Sequence, residues 1–532
     1  MIRIKTSHQK FAALNREQWG ELRQGKGCVL ININGIPQQT VMAGIAARLL
    51  NQAKGLQPLG MISACTRNRD DVKEVLESFG VRTFLRLSRN PLTRPISLIK
   101  AMVHTARAWW HIRQRGFEDF IEHFQVHGIH MGDMIYDSFI RYDHTYQAPH
   151  NAASKLRKVL LDALWIFFSC ESLLRRHPVR FVIMSESVYA ISQAFLMRIA
   201  ASRGVPTLFV NAFGFAKIYS EYKDTFDDRF KISEDTLEQS RQHKNRIEIV
   251  DTYLQRRSTG QLVHHDVINA YRDKQVWTRD ALIDHYTIAA DEKRKFIFLM
   301  PHCFSDANHK TRYVLFRDFY QWFRETLEVI EGVDSVLWFI KPHPSGFHYG
   351  EEGQVEELVG KLKGDHLFLT PQDFSTASVL NAADGVVTVN GNIGLEAACA
   401  GVRPLLSAAA VYSGLGFTEL PKSREAYFNT LRQMRDWAPL DAEAVRIARE
   451  VMYCGQFYTR PVSAIIPGGS VRPGCPPEEF KNFYDGVYDS ISEKLSETRF
   501  EDDPYVQNLK SLLERGRDAI RQRDPVTVDA IM

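Results

Sequence analysis

The chain has 532 residues, too many for one ordinary hydrophobic core, so two domains plus extensions are expected. It is 44% hydrophobic and 24% charged, the make-up of a soluble globular protein, and a net charge of only +4 sets it apart from dedicated nucleic-acid binders. No apolar run reaches the roughly 18 residues that span a bilayer; the nearest, Val159 to Cys170, is short and carries Asp162.

In chain order, the polar opening MIRIKTSHQKFAALNREQWGEL has charges and amides where a secretion signal needs an apolar stretch, which predicts a cytoplasmic chain. Gly27 to Asn34 reads as a buried strand, and Gly35-Ile36-Pro37 breaks it before a helix from about Gln39 to Lys54. Pro58 to Ala64, Asp70 to Phe79 and Val81 to Leu87 continue as strand, helix and strand. This alternation implies a parallel sheet with right-handed crossovers. Long helices follow near Leu92 to Arg115 and Ala152 to Arg176, separated by an irregular polar-aromatic segment, His127 to Tyr146. Strand Val179 to Met184, a helix from about Val188 to Ser202 and strand Val205 to Val210 complete a first Rossmann-like domain, residues 1–227, with a helical insertion.

Residues 228–292 are charged and mainly helical and read as a connector. A second Rossmann-like domain, 293–435, starts with strand Phe296 to Met300. It continues with a helix around Phe316 to Ile330, strands Ser335 to Ile340 and His366 to Leu369, a helix around Thr376 to Ala383, a strand Gly385 to Val389, a glycine turn Asn390 to Gly394, a helix opening on Leu395-Glu396, and a strand entered at Arg403-Pro404. Residues 436–532 form a C-terminal helical extension, with a Pro/Gly-rich loop at Pro467 to Pro477 and a last amphipathic helix near Tyr505 to Arg523.

Seven cysteines at 28, 65, 170, 303, 399, 454 and 475 show no paired CxxC spacing, so neither a disulfide framework nor a zinc site is expected. The segment Pro91 to Gly116 sets Arg94, Lys100, Arg107, Arg113 and Arg115 around Trp109-Trp110. A helix of this make-up can rest on an anionic membrane. A solvated basic face with its tryptophans in the core is the expected arrangement.

Ligands of doubly wound sheets bind at the carboxyl ends of strands, and three strand ends here are rich in polar groups. Phe296 to Met300 leads into Pro301-His302-Cys303-Phe304-Ser305-Asp306, a ligand loop or a plain Asp/Ser turn. Ser335 to Ile340 leads into Lys341-Pro342-His343-Pro344; two prolines fix the backbone around His343, and Lys341 can offset phosphate charge. At Asn390, Gly391, Asn392 and Gly394, free N–H groups and a helix N-terminus suit a phosphate, and Glu396 either accepts from ribose hydroxyls or simply complements the helix dipole. Ser375 and Thr376 cap a helix and could reach the same ligand.

Pro301-His302 with Ser305-Asp306-Ala307, Lys341 to Pro344, Thr388 to Ala397 and Tyr412 to Thr418 resemble bacterial capsule and surface-polysaccharide biosynthesis glycosyltransferases, the Kdo-transferase-like and sialyltransferase-like GT-B enzymes. The resemblance covers about Phe296 to Leu431, and more thinly His127 to Asp137 and Ser185 to Val210. It implies an α/β, GT-B-like fold of two Rossmann-like domains, with donor-nucleotide contacts from the His-Pro motif and the glycine turn. Where many relatives have Ser or Thr in that turn, this chain has Asn390 and Asn392, whose amides can still donate to phosphate.

Glycosyl transfer also needs a base for the acceptor hydroxyl. Asp133, Asp137, His130 and Glu186 are the candidates, Asp133 first. The expected activity moves a sugar from a nucleotide-sugar donor, with CMP-Kdo or a related acidic sugar in view, to a surface or capsular polysaccharide or a lipid-linked acceptor. The donor is a substrate, so no cofactor is expected, and no Asp-x-Asp pair at a strand end requires a metal. No nucleic-acid partner is expected, and peripheral contact with the inner membrane is compatible with the basic helix. A UDP-sugar 2-epimerase-like enzyme and a non-catalytic scaffold of the same shape in polysaccharide export are the rival readings.

Overall fold

The computed structural model describes residues 6–63, 66–87, 95–144, 146–147, 153–186, 188–192, 194–226, 232–261, 265–311, 313–469 and 475–515. Cys65, Arg94, the expected helix start at Leu92, part of the Pro467 to Pro477 loop and the end of the last helix lie outside them. Two units divide the chain: Met1–Phe226 with Thr459–Arg523, and Asp227–Tyr458 with Asp524–Met532.

After helix α1 (Ser7–Gln18), strand β1 (Cys28–Asn32) is buried along its whole length, as a central parallel strand must be when both faces are covered. Gly35, at φ +87°, turns the chain into helix α2 (Pro37–Lys54), which opens on a proline and closes on a left-handed Gly55. Strand β2 (Gln57–Ile62), helix α3 (Arg69–Ser78) and strand β3 (Thr83–Arg86) complete the expected alternation.

The insertion then departs from its sequence reading. Helix α4 (Pro95–His123), broken at Gly116, is followed by a short hairpin, β4 (Gln125–Val126) with β5 (Ile129–His130), then α5 (Gly132–Asp143) and α6 (Ala153–Arg176). The segment expected to be irregular is therefore helical over most of its length. Met134, Ile135, Tyr136, Phe139 and Ile140 are all buried on α5, and Gly132 is needed because any Cβ there would overlap the Phe120 carbonyl.

Strand β6 (Val179–Met184), helix α7 (Phe195–Ala201), strand β7 (Thr207–Val210) and strand β8 (Ala216–Tyr219) finish a sheet of order β3-β2-β1-β6-β7-β8. It is parallel except for β8, which was not foreseen.

In the second unit, helices α8 (Glu234–Ser240), α9 (Arg246–Ser258), α10 (His265–Tyr271) and α11 (Arg279–His285) precede strand β9 (Phe296–Met300). Helix α12 (Phe319–Ile330), capped by Asp318 accepting from the Gln321 N–H at 2.7 Å, leads to strand β10 (Leu337–Ile340). Helix α13 (Gln354–Val359), strand β11 (Leu367–Leu369), helix α14 (Thr376–Ala382), strand β12 (Gly385–Thr388), helix α15 (Asn392–Cys399) and strand β13 (Pro404–Leu406) follow. The sheet order is β11-β10-β9-β12-β13, all parallel, with Phe298 opposite Phe339 on one side and Val386 on the other. Helices α16 (Arg424–Arg432) and α17 (Ala442–Tyr453) close this unit.

The segment read as a connector belongs to the second unit: buried Glu450 of α17 is paired with Arg241 at 2.9 Å and with Arg246 at 2.8 Å. The C-terminal extension is also divided. Helices α18 (Pro477–Leu495) and α19 (Pro504–Arg515) return to the first unit, burying Tyr484, Val487, Tyr488, Ile491, Leu509 and Leu513 in the same core as Phe11 and Val41. Among the described residues no helix is long and apolar enough to cross a membrane.

Candidate functional site

In the second unit β9 lies at the centre, with β10 on one side and the fourth strand, β12, on the other. This reversal of strand order makes the carboxyl ends of β9 and β12 the topological switch point of the sheet. The polar residues singled out in the sequence stand along that edge.

Lys341 follows β10 directly, its backbone N–H donating to the Leu299 carbonyl at 3.0 Å, and is only 5% exposed. Its ammonium has no hydrogen-bond or ion-pair partner among the described residues. Burial, and secondarily the positive charge of Lys274, push its pKa down to about 7. A buried cation without a partner is costly. The same sheet edge shows further incompleteness: the hydroxyls of Thr370, next after the adjacent β11, and of Ser407, next after β13 at the far side of the sheet, are buried without partners.

His302 lies two residues past β9, and its Nε2 is likewise buried without a partner. Burial, then the neighbouring His343, depress its pKa to about 3, so the ring is neutral at physiological pH. It packs on Phe319 with ring centroids 4.8 Å apart, and its ring stands nearly parallel to that of His343 at 6.3 Å. His343 is half-buried. Its Nδ1 accepts from the Ser345 N–H at 3.2 Å and lies 3.2 Å from Cys303 Sγ. That acceptor role places the proton of the neutral ring on Nε2.

The loop after β9 is fixed by Glu351, whose carboxylate accepts from the N–H groups of Phe304 at 2.6 Å and Ser305 at 2.7 Å and from the Ser305 hydroxyl at 2.6 Å. Asp306 pairs with Lys310 at 3.4 Å on its more open side.

After β12 the turn is shorter than the sequence suggests. Gly391 caps α15, which begins at Asn392, so Asn392 and Gly394 lie in the first helical turn. A Cβ at Gly391 would stand 3.3 Å from His302 Nε2 and 3.2 Å from Thr388 Oγ1, so the turn and the histidine share one small space. Gly394 is required by Tyr412, whose hydroxyl donates to the Gly391 carbonyl where a Cβ at 394 would intrude. The Asn390 side chain donates to the Ala409 carbonyl at 3.5 Å. Ser375 caps α14 through the Ala377 N–H at 3.2 Å, and Thr376 is the first residue of that helix.

Glu396 is turned inward. It is 3% exposed, paired with Arg257 at 2.8 Å, and accepts from the Tyr271 hydroxyl. Burial and the carboxylate itself hold the Tyr271 phenol well above its usual range, so it remains the donor. This network braces α9, α10 and α15, and it accounts for Glu396 without a ribose.

In the first unit, Asp133 sits in the first turn of α5, and both its oxygens are taken by the Arg198 guanidinium, at 2.7 and 2.5 Å. His130 joins them: its Nε2 is 3.4 Å from Asp133, and its carbonyl accepts from Arg198 at 2.9 Å. Asp137 is buried one turn further along α5. Glu186 is placed elsewhere, half-exposed beyond the end of β6, where it accepts from the Val188 N–H at 2.8 Å. Beside it, Ser185 accepts from the N–H of Asn34, in the turn after β1, at 3.2 Å.

Sequence reasoning missed Glu351, Arg257, Tyr271 and Thr370. None belongs to a local motif. Only the strand-end position of Thr370 could have marked it.

Two α/β sheets, one wholly parallel and one parallel except for its edge strand β8, the former with an unsatisfied polar edge at its switch point, define a protein of the Rossmann-like, two-unit class. Residues 226–458 match the model of the family described as capsule polysaccharide biosynthesis protein, which bears out the resemblance over that segment. No curated protein matches the chain. Among solved structures, the chain is similar to the beta Kdo 2,4 transferase of KpsC from Thermosulfurimonas dismutans, at 13% identity over 58% of this chain and 88% of that one, TM-score 0.31. It is also similar to a glycosyltransferase from Rickettsia africae, at 10% identity over 89% and 100%, TM-score 0.25. A third similarity is to UDP-GlcNAc 2-epimerase from Neisseria meningitidis, at 11% identity over 80% and 97%, TM-score 0.22.

Proposed function

We propose that the chain is a glycosyltransferase that moves a sugar from a nucleotide-sugar donor to a surface or capsular polysaccharide or a lipid-linked acceptor, with CMP-Kdo or a related acidic-sugar donor as the case to test first. The observation that carries this reading is Lys341: a buried, unpartnered ammonium at the edge of a Rossmann-like sheet, beside His302 and His343, inside the segment that matches the capsule family. A donor phosphate supplies the charge that Lys341 lacks.

In this reading the acceptor hydroxyl attacks the anomeric carbon, the bond from that carbon to the nucleotide phosphate oxygen breaks, and the hydroxyl proton passes to a carboxylate. The charge left on the phosphate is met by Lys341, by the Nε2–H of His343 and by the N–H groups opening α15. Glu186, half-exposed at a strand end, suits the base role better than Asp133, whose two oxygens are held by Arg198. The nucleotide sugar enters as a substrate, and no resident cofactor is part of the proposal.

Purified protein is incubated with CMP- and UDP-sugars and surface glycan, and nucleotide release and sugar isomerisation are followed. Release coupled to glycan extension is expected. Isomerisation without extension would replace the transferase with an epimerase, and no turnover would leave a scaffold. His343→Ala should abolish donor binding; unchanged affinity in a folded variant would sink the site. Glu186→Gln should bind donor and fail to transfer.

A further inference from the structure

The helix expected to keep its tryptophans in the core buries neither fully: Trp109 is partly covered and Trp110 is exposed. Along α4, before its break at Gly116, the small or apolar residues Ser97, Ala101, Ala108 and Ile112 are buried. Trp109 lies partly covered under the Arg157 guanidinium of α6, 4.4 Å from its ring. The opposite face is apolar and bare: Ile96 is 69% exposed, Ile99 61%, Met102 57%, Val103 57% and Trp110 63%. Spacings of three, four and seven residues put these side chains on one stripe. So large a contiguous apolar patch marks an interaction surface.

Its flanks are mainly basic. Between Pro95 and Arg115 there is no acidic residue, while Lys100, Arg107 and Arg113 border the stripe and Arg115, on the side of Ser97, pairs with Asp119 at 3.9 Å. Helix α6 adds Arg157 near Trp109 and, at the other end, Arg175 and Arg176. There, a cavity of about 290 Å³ is lined by Pro95, Ile96 and Phe168 together with Ser97, Ser172, Lys100, Arg176 and Arg175, the last of these already paired with Glu171 at 3.4 Å.

From this face we infer that α4 docks the protein on an anionic lipid bilayer, with Ile96, Ile99, Val103 and Trp110 in the headgroup–acyl boundary and the basic residues against lipid phosphates. A stripe of large apolar side chains with basic flanks and a tryptophan is what an interfacial helix needs, and four charged residues keep it from entering further. Charge complementarity selects the occupant. A second copy meeting this face by two-fold symmetry would set the same basic flanks against each other, whereas an anionic surface attracts every one of them. The inference does not depend on which sugar is moved, and its test requires no turnover.

The full chain is sedimented with vesicles of phosphatidylethanolamine and phosphatidylglycerol, and separately with phosphatidylcholine vesicles. Binding to the anionic vesicles is expected to be at least about tenfold stronger and to weaken with salt. Ile99→Asp with Val103→Asp should abolish it without changing the far-ultraviolet circular dichroism, since both side chains are already exposed. Lys100→Glu with Arg107→Glu should weaken it about tenfold. The blue shift of tryptophan emission on binding should vanish in Trp110→Phe. Equal sedimentation of the native chain and the Ile99/Val103 variant would overturn the inference. So would a dimer in light scattering that this variant dissociates, which would assign the face to a second copy.

Discussion

Two buried charge clusters stand in the two units, and they are built on opposite plans. In the first, the Arg198 guanidinium meets Asp133 through two hydrogen bonds and the His130 carbonyl through a third. In the second, Lys341 is similarly buried, yet among the described residues no carboxylate answers it, and the polar atoms of His302, Thr370 and Ser407 around the same sheet edge are unanswered as well. A buried cation answered by a carboxylate holds the fold together, even with the Nε of Arg198 left without a hydrogen bond, whereas one that lacks an anion is arranged for something that arrives. Burial alone does not separate architecture from function; the missing counter-charge does.

The largest expected effect tests the charge-paired cluster. Asp133→Asn leaves the Arg198 guanidinium buried without its counter-charge, so the variant should lose about 3–5 kcal/mol of stability in denaturant unfolding while nucleotide affinity in the folded fraction stays unchanged. A loss under about 1 kcal/mol together with abolished transfer would return Asp133 to the chemistry and break the comparison.

The incomplete cluster should respond the other way. Lys341→Met keeps the length and removes the charge, so affinity for a nucleotide should fall about 100-fold while the empty protein becomes more stable. The sign follows from the depressed pKa. An unfolded lysine titrates near 10.5 and the folded one near 7, so below pH 7 the native state bears the full cost of a buried charge. Between these values the unfolded chain binds more protons, and the contribution of this group to stability improves as pH rises. Nucleotide binding reverses the shift: at pH about 8 it should draw in about one proton, visible in calorimetry as a dependence on buffer ionisation heat and absent from Lys341→Met. Equal heats in all buffers would show that no anion reaches Lys341.

Much of this was legible in the residues. Strands such as Phe296 to Met300 and Val179 to Met184 announce themselves by apolar runs, the second interrupted only by Arg180, and the three polar strand ends are legible because a parallel sheet must present them at one edge. What stayed hidden depends on distant partners. Glu396 looks like a ribose ligand until Arg257 and Tyr271 fold onto it, and the amphipathic pattern of α18 says that one face is buried but not that it is buried against Phe11. The helix α5 was missed for a related reason. Its polar residues resemble a loop, and the burial of Met134, Ile135, Tyr136, Phe139 and Ile140 together with the close approach of Gly132 to Phe120 shows that the segment is packed.

The smallest effect is the sharpest probe of the switch point. Gly391 has φ −67° and ψ 152°, a conformation open to any residue, so Gly391→Ala introduces no backbone strain. Its methyl would stand 3.2 Å from Thr388 Oγ1 and 3.3 Å from His302 Nε2, tight enough to require a few tenths of an ångström of movement. His302 has little room to yield because its ring rests on Phe319, and Thr388 is tied to the Met300 carbonyl at 2.9 Å. The stability cost should therefore stay near 1 kcal/mol. The same methyl occupies the approach to the N–H groups of Asn392 and Ile393, so nucleotide affinity should fall about fivefold to tenfold, measured by titration at fixed pH. If Gly391→Ala binds as the native protein does while Lys341→Met does not, the phosphate lies at the β10 end of the edge alone, and the β12 turn belongs to packing.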